Sequence, residues 1–425
     1  MKTALARTIS TTTLAASLLS FPAAALSQTA AAPITPPVPA PAPAKIQPNL
    51  LIITDAVVTT QWPHTLNLVS PPHNLTLLNP GQCIRVGIIA TGTTAADLLS
   101  QTSVSFNVQL AGHSSLHPLA PLSQLKQLKP QATASLGLSA DRWCVPDNAD
   151  DETATIEVAT QSGSKTQSLP PATIQIQSFS TGSKLPVASE QDFDDFFTTY
   201  YRQPNPARLL PILQYAVSSD EQLPSASLLV EVAVFLSAAL KADPVAANDF
   251  LSRMPAQSPN VRRLGLVSVR AAGYDIAPVL QKLPPAEQEE IGKIPPLIDP
   301  FDLSPGPQIA VHLDMLWGVF GATGDFAPVK ALAGTLAWQP DYDAFLKWRD
   351  DPKHDPKPSD EITPSLIRGL AFTAAGWSMH SFQQSDPLVA DYIEFMLASP
   401  DTPPLIKTEL KGLDTNPAFK KGGGQ

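Results

Sequence analysis

The chain has 425 residues, 43% of them hydrophobic and 16% charged, with 45 prolines and a formal net charge of −10. That apolar content excludes a disordered chain and is enough for two sizeable cores, and the length suggests two or three domains. The acidic balance, with no basic cluster longer than Lys420-Lys421, argues against nucleic acid as a partner, because such affinity comes from cations that neutralise phosphates.

In chain order, Lys2 and Arg7 precede an apolar stretch ending near Phe21, followed by small residues at Ala23-Ala24-Ala25 and Ala25-Leu26-Ser27. This is the layout of a cleavable secretory signal over residues 1–27. Its apolar core is shorter than the roughly 18 residues of a membrane anchor, so the expectation is export, periplasmic or secreted, with no transmembrane segment after cleavage. Residues 28–46 hold the run APITPPVPAPAPAK, which favours extended polyproline II. It reads as a semi-rigid tether or a solvated tail.

Residues 47–180 read as all-β. SVSFNVQL places Val104, Phe106, Val108 and Leu110 on one face, TATIEVAT does so with Ile156 and Val158, and TIQIQSF with Ile174 and Ile176, the two-residue alternation of half-buried strands. NPGQ at 79–82 reads as a turn before the strand CIRVGII. The segment from His113 to Asp141 reads as a long loop or insertion with one short strand. Export makes pairing of Cys83 with Cys144 the expectation, with two free buried thiols as the alternative. The bond would close a loop of about 60 residues, worth roughly 4 kcal/mol. Cysteines so placed resemble an immunoglobulin-type pin. Trp143 adjoins the second cysteine rather than following the first, and Arg142 stands where a corner tyrosine is expected. The resemblance therefore implies an architecture, an immunoglobulin-like β-sandwich, and no more.

After a linker at 181–188, residues 189–419 read as an all-α domain, with 420–425 a glycine-rich tail. Ser189 and Asp192 form a capping-box-like start, and Phe193, Phe196, Phe197, Tyr200 and Tyr201 fall on one helical face. Asn205-Pro206, Asp243-Pro244, Ser258-Pro259 and Asp386-Pro387 repeat one kind of helix start, a polar cap followed by proline. Short helices with short connections predict an irregular, α-solenoid-like array of antiparallel hairpins. The fold class expected is thus a multidomain chain, all-β then all-α.

The stretch GVFGATGD at 318–325 has the glycines of a phosphate loop but not the spacing, and a helical pattern precedes it. It reads as a hairpin corner, with Gly324 just past one helix and Asp325 capping the next. Gly318 and Gly321 are then small residues that let another backbone approach. Sixty residues on, GWSMHSFQQSDPLVADYI repeats the layout, with Trp377 answering Trp317 and Asp386-Pro387 answering the first corner. LDMLWGVFGATGD followed by this second stretch resembles a pattern in uncharacterised exported bacterial proteins. That resemblance implies a helical-hairpin domain and an envelope setting, and carries no activity.

Chemistry is sparse. His113 and His117 have zinc spacing only if helical, and DNADDE at 147–152 lacks the glycine and distant glutamate of a calcium loop. Neither predicts a metal, and no cofactor is expected. His312, Asp314, Trp377 and His380 flank the two corners and are the candidate binding residues; no catalytic set is recognisable. The function expected is a non-catalytic exported protein with a protein partner in the envelope, a scaffold or assembly module. The alternatives are a carbohydrate-active hydrolase, with Trp317, Trp338, Trp348 and Trp377 lining a sugar site, and a small-ligand binder. No pattern sets an oligomeric state.

Overall fold

The computed structural model describes residues 49–54, 75–91, 102–111, 113–121, 123–124, 134–218, 226–306, 308–351 and 362–420. The signal, the proline-rich run, most of the charged loop 350–361 and residues 421–425 lie outside them. The molecule is mixed, with strands up to Ile176 and helices from Phe179 onward.

The strands are β1 (Asn49–Thr54), β2 (Leu77–Leu78), β3 (Cys83–Thr91), β4 (Thr102–Leu110), β5 (His113–Pro121), β6 (Ser123–Gln124), β7 (Ala134–Cys144), β8 (Glu152–Ser162), β9 (Lys165–Ser168) and β10 (Ala172–Ile176). One sheet runs β1-β3-β7-β6 and the other β2-β10-β8-β4-β5, with β9 folded back on β8. Pairing is antiparallel except between β2 and β10. Alternation sends Val104, Phe106, Val108, Ile156, Val158, Ile174 and Ile176 inward from the second sheet and Ile84, Val86 and Ile88 from the first. Together they form one shared core.

Residues 113–121 correct the loop expectation. They form edge strand β5, paired with β4 from Leu110↔His113 to Ser103↔Pro121. Ala111, at φ 48°, makes the turn. Prolines at 118 and 121 hid the strand, but an edge strand tolerates proline because it has a side without ladder partners. In a strand, His113 and His117 have Cα atoms about 13 Å apart, which removes the shared-zinc spacing.

The disulfide joins Cys83 to Cys144, but not as a pin between sheets. The two are register partners on neighbouring strands β3 and β7. Val145 N–H donates to the Gln82 carbonyl at 2.9 Å, which makes Cys83 and Cys144 a non-hydrogen-bonded pair, the position where facing Cα atoms come closest. Their Cα atoms are 3.9 Å apart. The bond therefore staples one sheet beside the turn 79–82.

The helices are α1 (Phe179–Gly182), α2 (Glu190–Thr199), α3 (Leu209–Ser218), α4 (Ala226–Lys241), α5 (Pro244–Arg253), α6 (Pro259–Ala271), α7 (Ala277–Leu280), α8 (Pro285–Lys293), α9 (Ile309–Thr323), α10 (Phe326–Gly334), α11 (Gln339–Asp350), α12 (Thr363–Ser385), α13 (Pro387–Ala398) and α14 (Pro404–Lys411). None among the described residues is long and apolar enough to cross a membrane. Ser189 Oγ accepts from Asp192 N–H at 3.1 Å at the start of α2. Of the four polar-proline starts, Asp243 and Asp386 cap with their side chains, while Asn205 and Ser258 do not.

Two apolar cores divide the helical half, one gathered around α2 to α8 and one around α9 to α14. The aromatic face of α2 is shared between them. Phe193, Phe196, Phe197 and Tyr200 enter the first, and Tyr201, on the 3-10 turn that ends the helix, enters the second. Helix α9 runs beside α2 so closely that a Cβ at Gly321 would collide with the Phe197 carbonyl.

The strands meet the helices through a buried polar seam. Asn79 and Gln82 are buried at its centre. Asn79 N–H donates to Gln82 Oε1 at 2.7 Å, Asn79 Nδ2 to the Gln177 carbonyl at 2.7 Å, and Gln82 Nε2 to the Pro204 carbonyl at 3.2 Å. Gln203 Nε2 donates to Thr76 Oγ1 at 3.0 Å. Gly81, at φ 81°, lies against Val245, leaving no room for a Cβ. Asp151, from the acidic run 147–152, accepts from Ser178 N–H and Thr181 Oγ1 at the start of α1.

Candidate functional site

The corner at 318–325 is assembled by packing. Helix α9 is apolar on almost every side and ends at Gly324, whose φ of 68° is left-handed. Side chains other than glycine avoid that region, and the Tyr201 ring fills the place a Cβ would take. Gly324 N–H donates to the Phe320 carbonyl, and the Gly324 carbonyl accepts from Tyr392 Oη at 2.6 Å. Asp325 precedes α10 but makes no side-chain capping bond, a correction to its expected role. Instead its backbone N–H donates to Thr323 Oγ1 at 3.1 Å. Burial raises the Asp325 carboxyl above its usual range.

The second corner does cap. Asp386 accepts from Leu388 N–H at 2.9 Å, with Pro387 opening α13. Although buried, its carboxylate also accepts from Tyr201 Oη at 2.8 and 2.9 Å and pairs with Arg202 at 2.8 Å. Tyr201 thus touches both corners, its ring against Gly324 and its hydroxyl on Asp386. Burial, and then the neighbouring Asp386 charge, pushes the phenol far above its ordinary value. This phenol is a fixed donor.

The four candidate residues do not converge on one set of partners. His312 is buried on α9, its Nδ1 without a partner among the described residues. Trp377 is half-buried on α12. His380 Nδ1 lies 3.2 Å from Asp414 Oδ1. Trp317, one of the four tryptophans of the sugar-site alternative, is buried and stacked on Phe382 at 4.1 Å between centroids, with Nε1 donating to Ser378 Oγ at 3.0 Å. Its ring faces are taken up by the core.

Asp314 does find a chemical partner. Glu231, buried on α4, is hydrogen-bonded to it. Burial pushes Glu231 up to about 7, the hydrogen bond from Asp314 partly opposing the rise. Asp314 is raised well above its ordinary value by burial, then by the Glu231 charge and hydrogen bond. Two such carboxyls share a proton, because both cannot ionise at contact in an apolar interface. The pair can hold and release a proton, but with Glu231 sealed in the interface it is no substrate site. Glu231 was missed in the sequence. Its signal is an acid inside the apolar run LLVEVAVF.

Among the described residues, a groove of about 330 Å³ lies between α4, α6, the end of α3 and the extended segment after α8. Val230, Leu264, Val267, Ile294 and Leu297 make its walls, and Asn260 and Arg263 border it. The segment after α8 is clamped by Arg270, whose Nη2 donates to the Ile294 carbonyl at 2.8 Å and the Pro295 carbonyl at 3.2 Å. Ile298 and Phe301 on the same segment are exposed. Four separate stretches of chain form the groove, so no local motif announces it. Among the described residues, no group of three or more His, Cys, Asp or Glu is placed to hold a metal ion. In comparisons with known proteins, no protein-family model matches this chain and no curated protein sequence matches it.

Proposed function

We propose that this chain is a non-catalytic exported protein of the cell envelope, a scaffold or assembly module that holds a protein partner. The observation that carries this reading is the seam. Gln82 donating to the Pro204 carbonyl and Asn79 accepting from Ala207 N–H fasten the strands to the helices by buried hydrogen bonds, and Gln203 adds an exposed one to Thr76. Such bonds are costly to leave unmade and so hold a fixed geometry. A scaffold needs two surfaces at a set orientation. The immunoglobulin-like naming of the two-sheet half, the solenoid-like naming of the helical half, the domain limits and the likeness to uncharacterised exported proteins belong to the same proposal.

The test is to tag the chain after Gln425, cross-link it mildly in its native host's envelope, and co-purify. A stoichiometric partner retained by the wild-type chain and lost with Asn79→Leu is expected. A chain that comes out alone, or a partner indifferent to the seam, overturns the reading. A second reading, small-ligand binding, is favoured by the groove beside Arg263. The sugar-hydrolase alternative loses Trp317 to the core.

A further inference from the structure

We propose that the groove between α4, α6 and the segment 294–297 binds a small molecule with an apolar body and a single carboxylate end, such as a medium-chain fatty acid. This deepens the second reading above and rests on it. Size comes first. About 330 Å³ lies at the lower end of small-molecule sites and holds about ten heavy atoms at roughly 30 Å³ each. The walls, Val230, Leu264, Val267, Ile294 and Leu297, are hydrocarbon, so the body of the ligand is apolar.

The polar end is set by what the groove offers. Asn260 and Arg263 lie three apart on α6, hence on one face, and both border the groove. Asn260 also sits in the first turn of that helix, where the dipole is positive and favours an anion. Ser258 makes no side-chain cap there, and no acid occupies the first turn. Arg263 donates to Glu290 through Nη2, but both partners are substantially exposed, at 40% and 60%, and an exposed pair of this kind contributes little. A carboxylate on an apolar tail brings its own charge to the guanidinium and removes hydrocarbon from water in the same step. One guanidinium matches one negative charge, which favours a monoanion over a phosphate ester on a chain of net charge −10.

The experiment is calorimetric titration of the full chain with monomeric decanoate and, separately, decanol. Saturable one-to-one binding of decanoate below about 1 mM is expected. Arg263→Gln should weaken decanoate about tenfold and leave decanol unchanged, and Glu290→Gln should tighten decanoate several-fold. Val230→Trp should abolish binding of both by filling the groove. Leu297→Trp, on the segment outside the helices, repeats that test if the first variant folds poorly by circular dichroism. No saturation, or affinity indifferent to Arg263→Gln, or binding that persists in a folded groove-filling variant, overturns the proposal. Decanoate binding without a co-purified partner supports the groove and removes the scaffold reading. A seam-dependent partner without decanoate binding does the reverse.

Discussion

Glu231 and Asp314 give the protein a pH dependence whose sign follows from their pKa directions. Glu231 rises from an ordinary 4.5 to about 7 on folding. Between those values the folded chain binds more protons than the unfolded one, so stability falls as pH rises through that window. The contribution of Glu231 is greatest below about pH 4.5 and smallest above about pH 7. Glu231→Gln removes the group that must lose its proton. Relative to wild type, it should flatten the pH profile of urea unfolding and gain up to about 3 kcal/mol at pH 8 compared with pH 5. Parallel wild-type and variant profiles would remove the shared proton. An acid within an apolar helical run is visible in the sequence. Its partner is not, because contact between α4 and α9 spans more than eighty residues.

At the scale of elements, the two corners look alike in sequence and differ in structure. Both place aspartate before an apolar helix, but Asp386 caps α13, receives Tyr201 Oη and pairs with Arg202, whereas Asp325 makes no capping bond. Asp386→Ala should therefore cost at least about 2 kcal/mol, losing a cap and stranding two partners. Asp325→Ala should stay within about 0.5 kcal/mol. Equal losses in chemical denaturation would contradict this account. Gly324 was legible as a corner because a left-handed residue after a helix has few alternatives to glycine. Which aspartate would cap was not legible, since that depends on side-chain rotamers and on Tyr201, reached from α2. Strand β5 was missed for a related reason. Its partner β4 imposes extended backbone on a stretch whose prolines speak against it.

At the scale of the molecule, the seam and the disulfide act on the same turn. Cys83 follows Gln82 directly, and Cys144 precedes Val145, whose carbonyl accepts from Gly81 N–H at 3.0 Å. The disulfide thus holds the turn that the helices grip. Asn79→Leu leaves the Gln177 and Ala207 partners unsatisfied while sparing both helical cores and the strand core. It should split thermal unfolding into two calorimetric transitions, the strand half melting apart from the helices. A single transition with unchanged midpoint would show that the seam couples nothing.

By itself the sequence determined the order of strands then helices, the aromatic face of α2, the glycine corner and the one pairing open to its two cysteines. Each depends on local periodicity, on backbone conformations few residues adopt, or on there being one possible partner. Only the tertiary structure decided that the disulfide lies within a sheet, that NPGQ is the centre of a buried seam, that Glu231 meets Asp314, and that four distant segments enclose a groove. Those facts are set by strand register and helix packing across long loops, and long-range contacts leave no periodic trace in the chain that makes them.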